Sequence, residues 1–331
     1  RSNPSRPRKL RVVNPHAAGI DIGSREHYVC AGDEHPVRRF SCFTEHLRAM
    51  SAWLKECGVT TVAMEATGVY WIPAYQTLER AGFEVVLVNA KHFKSVPGRK
   101  SDVQDCAWLQ HLHECGLLAG SFRPSDDIVV LRSYMRQRSN LTQEAVRHVQ
   151  RMQKALEQMN VQLHKVVSDI TGETGAAIVS AIVGGERDPH KLAELRNYRV
   201  RRSRDECVAA LTGDWRAEHL FCLQQSWTLY HQLQEHIAHC DREIERCCAA
   251  FRDADALPDL PAATTPKKDT ELRRALFRVV GVDLTAIDSL SPQSVLTVLT
   301  EVGLDMTKWP TADHFASWLR YLVAIERRMR M

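Results

Sequence analysis

The chain has 331 residues, 44% hydrophobic and 25% charged, with 44 Lys and Arg against 40 Asp and Glu for a formal net charge of +4. This is ordinary globular composition, long enough for two or three domains of roughly 100–200 residues each, and it excludes a low-complexity or collagen-like chain. No apolar run approaches the roughly 18 residues needed to span a membrane. No secretory pattern follows the basic arm of residues 1–15, and ten dispersed cysteines without a C-x-x-C pair read as reduced thiols of a cytoplasmic protein.

Residues 16–125 alternate between strand and helix signals. AAGIDIGS, HYVCAG and VRRFSCF read as three successive strands. TEHLRAMSAWLKECG has helical periodicity and stops at Gly58; VTTVAMEAT is a strand; YWIPAYQTLERAG is a helix stopping at Gly82; EVVLVNA is the fifth strand. A helix starting near Ser101 follows. The order βββαβαβα, led by a meander, is that of the ribonuclease-H-like α/β fold with a mixed sheet. Fold alone assigns no activity.

Long helices follow over 126–251. Ala145, Val149, Met152, Leu156, Met159, Leu163, Val166 and Ile170 recur in steps of four and three. That is either a coiled-coil seam for self-association or packing within the chain. Between Arg132 and Lys165 stand seven Lys and Arg and two acidic residues, a face suited to phosphates or simply solvated. A second seam comprises Leu223, Trp227, Tyr230, Ile237, Ile244, Cys248 and Phe251, interrupted by Gln234 and Asp241. Residues 252–270 read as a Pro- and Thr-rich linker. Residues 271–331 read as a small all-α segment in which VVGVDLTAIDSLSPQSVLTVLTEVG suggests two helices around a Gly turn. HLHEC and HQLQEHIAHC contain metal-ligand residue types without zinc-finger spacing, and read as solvated helix faces.

The carboxylates carry the chemistry. Asp21 sits between Ile20 and Ile22, so in a strand the isoleucines share one face and Asp21 takes the other. Glu65 ends the fourth strand, which neighbours the first in this fold. Two such carboxylates repel unless a cation joins them. Asp102 follows Ser101, an expected N-cap completed by Gln104 as a capping box. Asp105 lies at i+3 on the same side of the helix, beside an expected apolar stripe of Val103, Cys106, Leu109 and Leu112. Four carboxylates from three elements suit a pair of magnesium ions, which prefer oxygen ligands and serve phosphodiester chemistry. Manganese is an expected substitute. The loop KHFKSVPGRK brings Lys91, Lys94, Arg99 and Lys100 with no acidic residue, a phosphate-binding segment beside the metals.

GIDIGS, MEATGVYW, VNAKHFKSVPGRKSDVQDCAWLQ and the TG–TG–AIVGGERDP–LAEL region resemble the DEDD transposases of bacterial insertion sequences. The resemblance covers most of the chain and is strongest from Gly19 to Leu118. It implies a RuvC-like nuclease domain, a coiled-coil region and a C-terminal transposase domain, with Asp21, Glu65, Asp102 and Asp105 as the magnesium-binding DEDD set. It further implies a nucleoid-associated recombinase that cuts and joins DNA, guided by a structured RNA recognised largely by shape and backbone. The family also carries a nucleophilic serine in a Ser-Gly motif past the point matching HFASWL. Here RYLVAIERRMRM follows and no Ser-Gly appears, and the chain begins without Met. That departure keeps a second reading open, a partial or variant copy that binds nucleic acid and dimerises without completing strand exchange. A third reading, an actin-like ATPase, would fit GIDIGS alone, but a second phosphate-binding Asp-Gly loop is not found.

Overall fold

The computed structural model describes residues 11–66, 68–88, 102–251 and 270–319. Its chain divides into two compact units, residues 1–123 and 124–331.

The first unit is built on a five-stranded sheet: β1 (Ala17–Ile22), β2 (Glu26–Cys30), β3 (Arg38–Ser41), β4 (Thr61–Glu65) and β5 (Glu84–Val88). Its order is β3-β2-β1-β4-β5. The β1–β2 and β2–β3 pairs are antiparallel, and β1–β4 and β4–β5 are parallel. This is the mixed sheet that the leading meander predicts. Helices α1 (Thr44–Glu56) and α2 (Trp71–Arg80) are followed by Gly58 and Gly82 at φ 72° and 88°, left-handed values that glycine adopts without strain.

Side-chain alternation gives this sheet two unlike faces. One face carries Ala18, Ile20, Ile22, Val29, Val62 and Met64 into an apolar core with Leu47, Met50 and Leu54 of α1 and Ala74 and Leu78 of α2. Each large side chain removed from water there stabilises the fold by about 1.5–3 kcal/mol. The other face is covered by α3 (Asp102–Glu114), which runs against β1, β2 and β4.

The second unit is organised by two helices of 33 residues each, α4 (Asp126–Gln158) and α8 (Ala217–Ala249), each about 50 Å long at 1.5 Å per residue. They run antiparallel: Leu131 and Met135 near the start of α4 meet Ile244 and Cys248 near the end of α8, while Met152 and Leu156 share a core with Leu223. The 145–170 seam is therefore buried within the chain, not presented to another copy. It is also not one helix. Met159 closes α4, and Asn160 takes a left-handed conformation at φ 55°. The amides of Asn160 and Val161 donate back to the carbonyls of Glu157 and Leu156, a Schellman turn.

Between the long helices the chain forms α5 (Glu173–Val183), α6 (Pro189–Glu194) and α7 (Arg204–Leu211), which close one end of the hairpin around Leu163, Ile178, Ile182, Leu192 and Leu211. At the other end α9 (Thr270–Val280) and α10 (Pro292–Val302) pack Leu276, Val279, Leu296 and Leu299 on Leu131 and Ile244. Gly281, at φ 85°, makes the expected turn after α9. Arg273 and Asp283 form a pair at 2.5 Å, both side chains 7% exposed, and Thr285 accepts a further bond from Arg273. The guanidinium holds the Asp283 carboxyl below the usual carboxylate range. The linker expected at 252–270 lies, but for the first residue of α9, outside the described residues.

The basic run of α4 is largely engaged within the chain. Arg132 donates to the carbonyls of Thr300 and Glu301, Arg136 pairs with Glu301, Arg138 with Asp241 at 2.5 Å, and Arg147 with Glu144. Asp241, which interrupts the seam of α8, is thereby the partner of a helix-crossing ion pair. Three of the seven basic residues, Arg132, Arg136 and Arg138, thus serve to hold the hairpin and its base together.

Candidate metal-carboxylate site

The site begins with a glycine. A Cβ on Gly19 would lie 2.3 Å from the Gln110 amide nitrogen and 2.4 Å from the Cys106 carbonyl oxygen, so only glycine admits the α3 backbone this close to β1. The approach is fixed by polar contacts. Gln110 donates its side-chain amide to the Ala17 carbonyl at 3.3 Å, and the His113 ring meets the Thr61 hydroxyl at 2.8 Å. Both side chains are buried. Ala63, Val88 and Leu109 complete a small apolar contact beside them.

This arrangement corrects the expected orientation of α3. Val103 is 45% exposed, and the buried line is Cys106, Leu109, Gln110 and His113. Gln110 and His113 find partners on the sheet and join Cys106 and Leu109 as the inward residues; Leu112 packs beside them, partly buried, and Val103 alone of the expected stripe is exposed. The HLHEC segment is likewise not a solvated face: His113 and Cys115 are both buried. Burial lowers the pKa of His113, which keeps the ring neutral.

Asp21 lies two residues beyond Gly19, on the same face. The β1–β4 register, Gly19 opposite Ala63 and Ile20 opposite Met64, continues to place Asp21 beside Glu65. In adjacent parallel strands such a pair points the same way, here toward α3. Glu65 is 5% exposed and Asp21 is half-buried. Tyr28 of β2 stands on the other side of Asp21. The Cys106 thiol, buried in the layer between sheet and helix, is pushed up to about 12, chiefly by burial and then by the charges of Cys30 and Asp21. Asp105 precedes Cys106 and is half-buried. Asp102 is the first residue of α3, and its side chain lies outside the described part.

The structure therefore brings Asp21 and Glu65 to one end of adjacent strands, on the face that α3 covers. Among the described residues no three His, Cys, Asp or Glu side chains lie close enough to hold a metal ion by themselves. The donor chemistry, carboxylate oxygens from three elements, suits a hard divalent cation such as magnesium. Lys91, Lys94, Arg99 and Lys100, together with Ser101, the expected N-cap, lie outside the described residues. Sequence reasoning missed Gly19 as the residue that sets the helix–sheet distance. Its signal was present in GIDIG, a glycine two positions before a strand aspartate on the same face.

Residues 18–161 match the family model of the IS110-type DEDD transposases, described as "Transposase". That stretch is a DEDD transposase region of the IS110 type. It runs from β1 to the Schellman turn after α4 and contains all four carboxylates and the basic loop. The match covers less than half of the chain and makes this stretch similar to transposases. No curated protein matches the chain. No helix among the described residues is long and apolar enough to cross a membrane. All ten of its cysteines are free thiols.

Proposed function

We propose that Asp21, Glu65, Asp102 and Asp105 together hold divalent cations, magnesium with manganese able to substitute, and that the chain uses them to cleave and join DNA at the ends of an insertion sequence. The observation that carries this reading is the in-register placement of Asp21 beside Glu65, on the face where Gly19 admits α3. Asp21, Glu65, Asp102 and Asp105 would hold such cations, which would supply activation of a nucleophile and stabilisation of the leaving oxygen of a phosphodiester. The protein's own contribution is positional. Gly19, Gln110 and His113 fix α3 against the sheet, so that carboxylates distant in sequence share one edge. Lys91, Lys94, Arg99 and Lys100 bind the phosphates of the strand being cut. A structured RNA guides the choice of DNA, held mainly by shape and backbone charge while base pairing reads the sequence. A homodimer or larger assembly uses a surface other than the 145–170 seam.

Joining of labelled element-end DNA in the presence of the element's RNA tests the reading. Joining is expected in magnesium or manganese, absent in EDTA, and lost in the double variant Asp102→Asn, Asp105→Asn with DNA binding retained. Joining that survives in EDTA or in the double variant overturns it. A parent chain that binds DNA and RNA but joins nothing in either metal replaces it with a binding and dimerising role.

A further inference from the structure

The segment from Arg196 to Arg204, RNYRVRRSR, joins α6 to α7 with five arginines and no acidic residue. Three of the five are engaged in holding the loop. Arg196 donates to the Arg202 carbonyl at 3.0 Å, Arg202 pairs with Glu206 at 3.2 Å, and Arg204 pairs with Glu194 at 3.4 Å. A capping box between Ser203 and Glu206 fixes the start of α7. The Asn197 amide donates to the Thr174 hydroxyl at 3.0 Å, which ties the loop to α5.

Arg199 and Arg201 differ from the other three. Both are exposed, and neither has a carboxylate partner among the described residues. Arg199 donates to the Tyr198 hydroxyl at 3.0 Å, with its guanidinium 5.3 Å from the Tyr198 ring. Tyr198 is 86% exposed, an aromatic ring presented to solvent on a braced loop. Behind it opens a pocket of about 440 Å³ lined by Ser168, Asp169, Thr174, Asn197, Arg199 and Arg201 among others. That volume falls within the roughly 300–1,000 Å³ of small-molecule sites. Its shape is held: Asp169 accepts bonds from the Thr171 amide and hydroxyl at 2.8 and 2.7 Å. Asp169 and Glu173 on the lining place acceptors opposite the two cations.

Cations without a carboxylate ion pair, beside an exposed aromatic ring, match what binds a single strand: phosphates on guanidinium groups and a base stacked on a ring. Acceptors in the pocket suit the amino edges of a base. A duplex cannot use the ring, because its bases are stacked on each other. We propose that the 196–204 loop and the pocket behind it bind an unpaired segment of a polynucleotide, with a base on Tyr198 and phosphates on Arg199 and Arg201. This site is separate from the carboxylates and needs no metal.

The test uses the full chain in EDTA, which silences any metal-dependent binding and so separates failure here from failure of the proposed cleavage. Probes are fluorescein-labelled single-stranded RNA and DNA of one mixed sequence, about 12 nucleotides long, with the matching duplex as control. Tyr198→Ala is expected to weaken single-strand binding by about 5- to 100-fold, while Tyr198→Phe keeps it. The double variant Arg199→Ala, Arg201→Ala is expected to flatten the log–log salt dependence by about 1.4, two phosphates at about 0.7 each. A 5-iodouridine strand is expected to crosslink to Tyr198. An effect confined to the RNA or to the DNA strand supports the site and names its source. Single-strand affinities within about twofold of the parent together with no adduct in 196–204, or equal losses for duplex and single strand, overturn it.

Discussion

The two faces of the N-terminal sheet are covered by helices in opposite ways. On one face α1 and α2 bring Met50, Leu54, Ala74 and Leu78 against Ile20, Val62 and Met64, an apolar layer whose one buried ionisable sheet residue is His27, with exposed Arg38 at its margin over Trp53. On the other, α3 comes to backbone distance of β1 over Gly19 and spends its inward positions on Gln110 and His113, with Asp21, Glu65 and Cys106 in the same layer. The first face keeps the sheet folded. The second trades apolar burial for the placement of carboxylates, which are costly to desolvate without a partner or a cation. A fold that uses one face for stability lets the other bear charge at its edge.

Substitutions separate the two roles. The largest effect is expected on the α3 face and on activity: Asp21→Asn and Glu65→Gln each lower DNA joining by on the order of 10²–10³-fold, the loss of several kcal/mol of metal-supplied stabilisation, with little change in thermal midpoint. Equal loss of folding would erase the distinction. Next is the apolar face, where Leu54→Ala costs about 2–5 kcal/mol in denaturant unfolding. The metal affinity of its remaining folded fraction is unchanged. Gly19→Ala joins the two effects. The added methyl meets backbone that cannot swing aside, so a stability loss near the upper end of about 1–3 kcal/mol accompanies loss of joining. A variant that keeps full activity would show that α3 can retreat from β1 without consequence.

The smallest effect is on pH dependence. His27 on the apolar face and His113 on the α3 face both have pKa values lowered by burial. The unfolded chain therefore takes up protons first. Stability from these groups is full above the unfolded value of about 6.5 and declines as pH falls below it. His113→Gln, able to keep a bond to Thr61, removes its part of that slope in chemical denaturation between neutral and mildly acidic pH. An unchanged slope would mean that the ring is not buried as a neutral group.

Much of the sheet could be read directly. Gly58 and Gly82 marked helix ends, and the alternation around Asp21 gave its face correctly because strand geometry is local. The roll of α3 was not legible. Apolar spacing pointed to Val103, whereas two of the real inward residues, Gln110 and His113, are polar and depend on the Ala17 carbonyl and Thr61, far away in the chain. The end of α4 was hidden for a different reason. The seam continues across Asn160 in apolar residues that are buried, but in turns rather than in the helix. The basic run of α4 misled because its partners, Asp241 and Glu301, are a hundred or more residues distant. In 196–204, by contrast, neither Arg199 nor Arg201 is ion-paired with a carboxylate among the described residues.

The central claim is that Asp21 and Glu65, with Asp102 and Asp105 on α3, share divalent metal. Crystals of the protein soaked in manganese and measured at its absorption edge test it most directly. The account predicts an anomalous peak within bonding distance of the Asp21 and Glu65 carboxylates that disappears in Asp21→Asn. A well-ordered carboxylate pair with no peak, or a peak that persists unchanged in that variant, would contradict it.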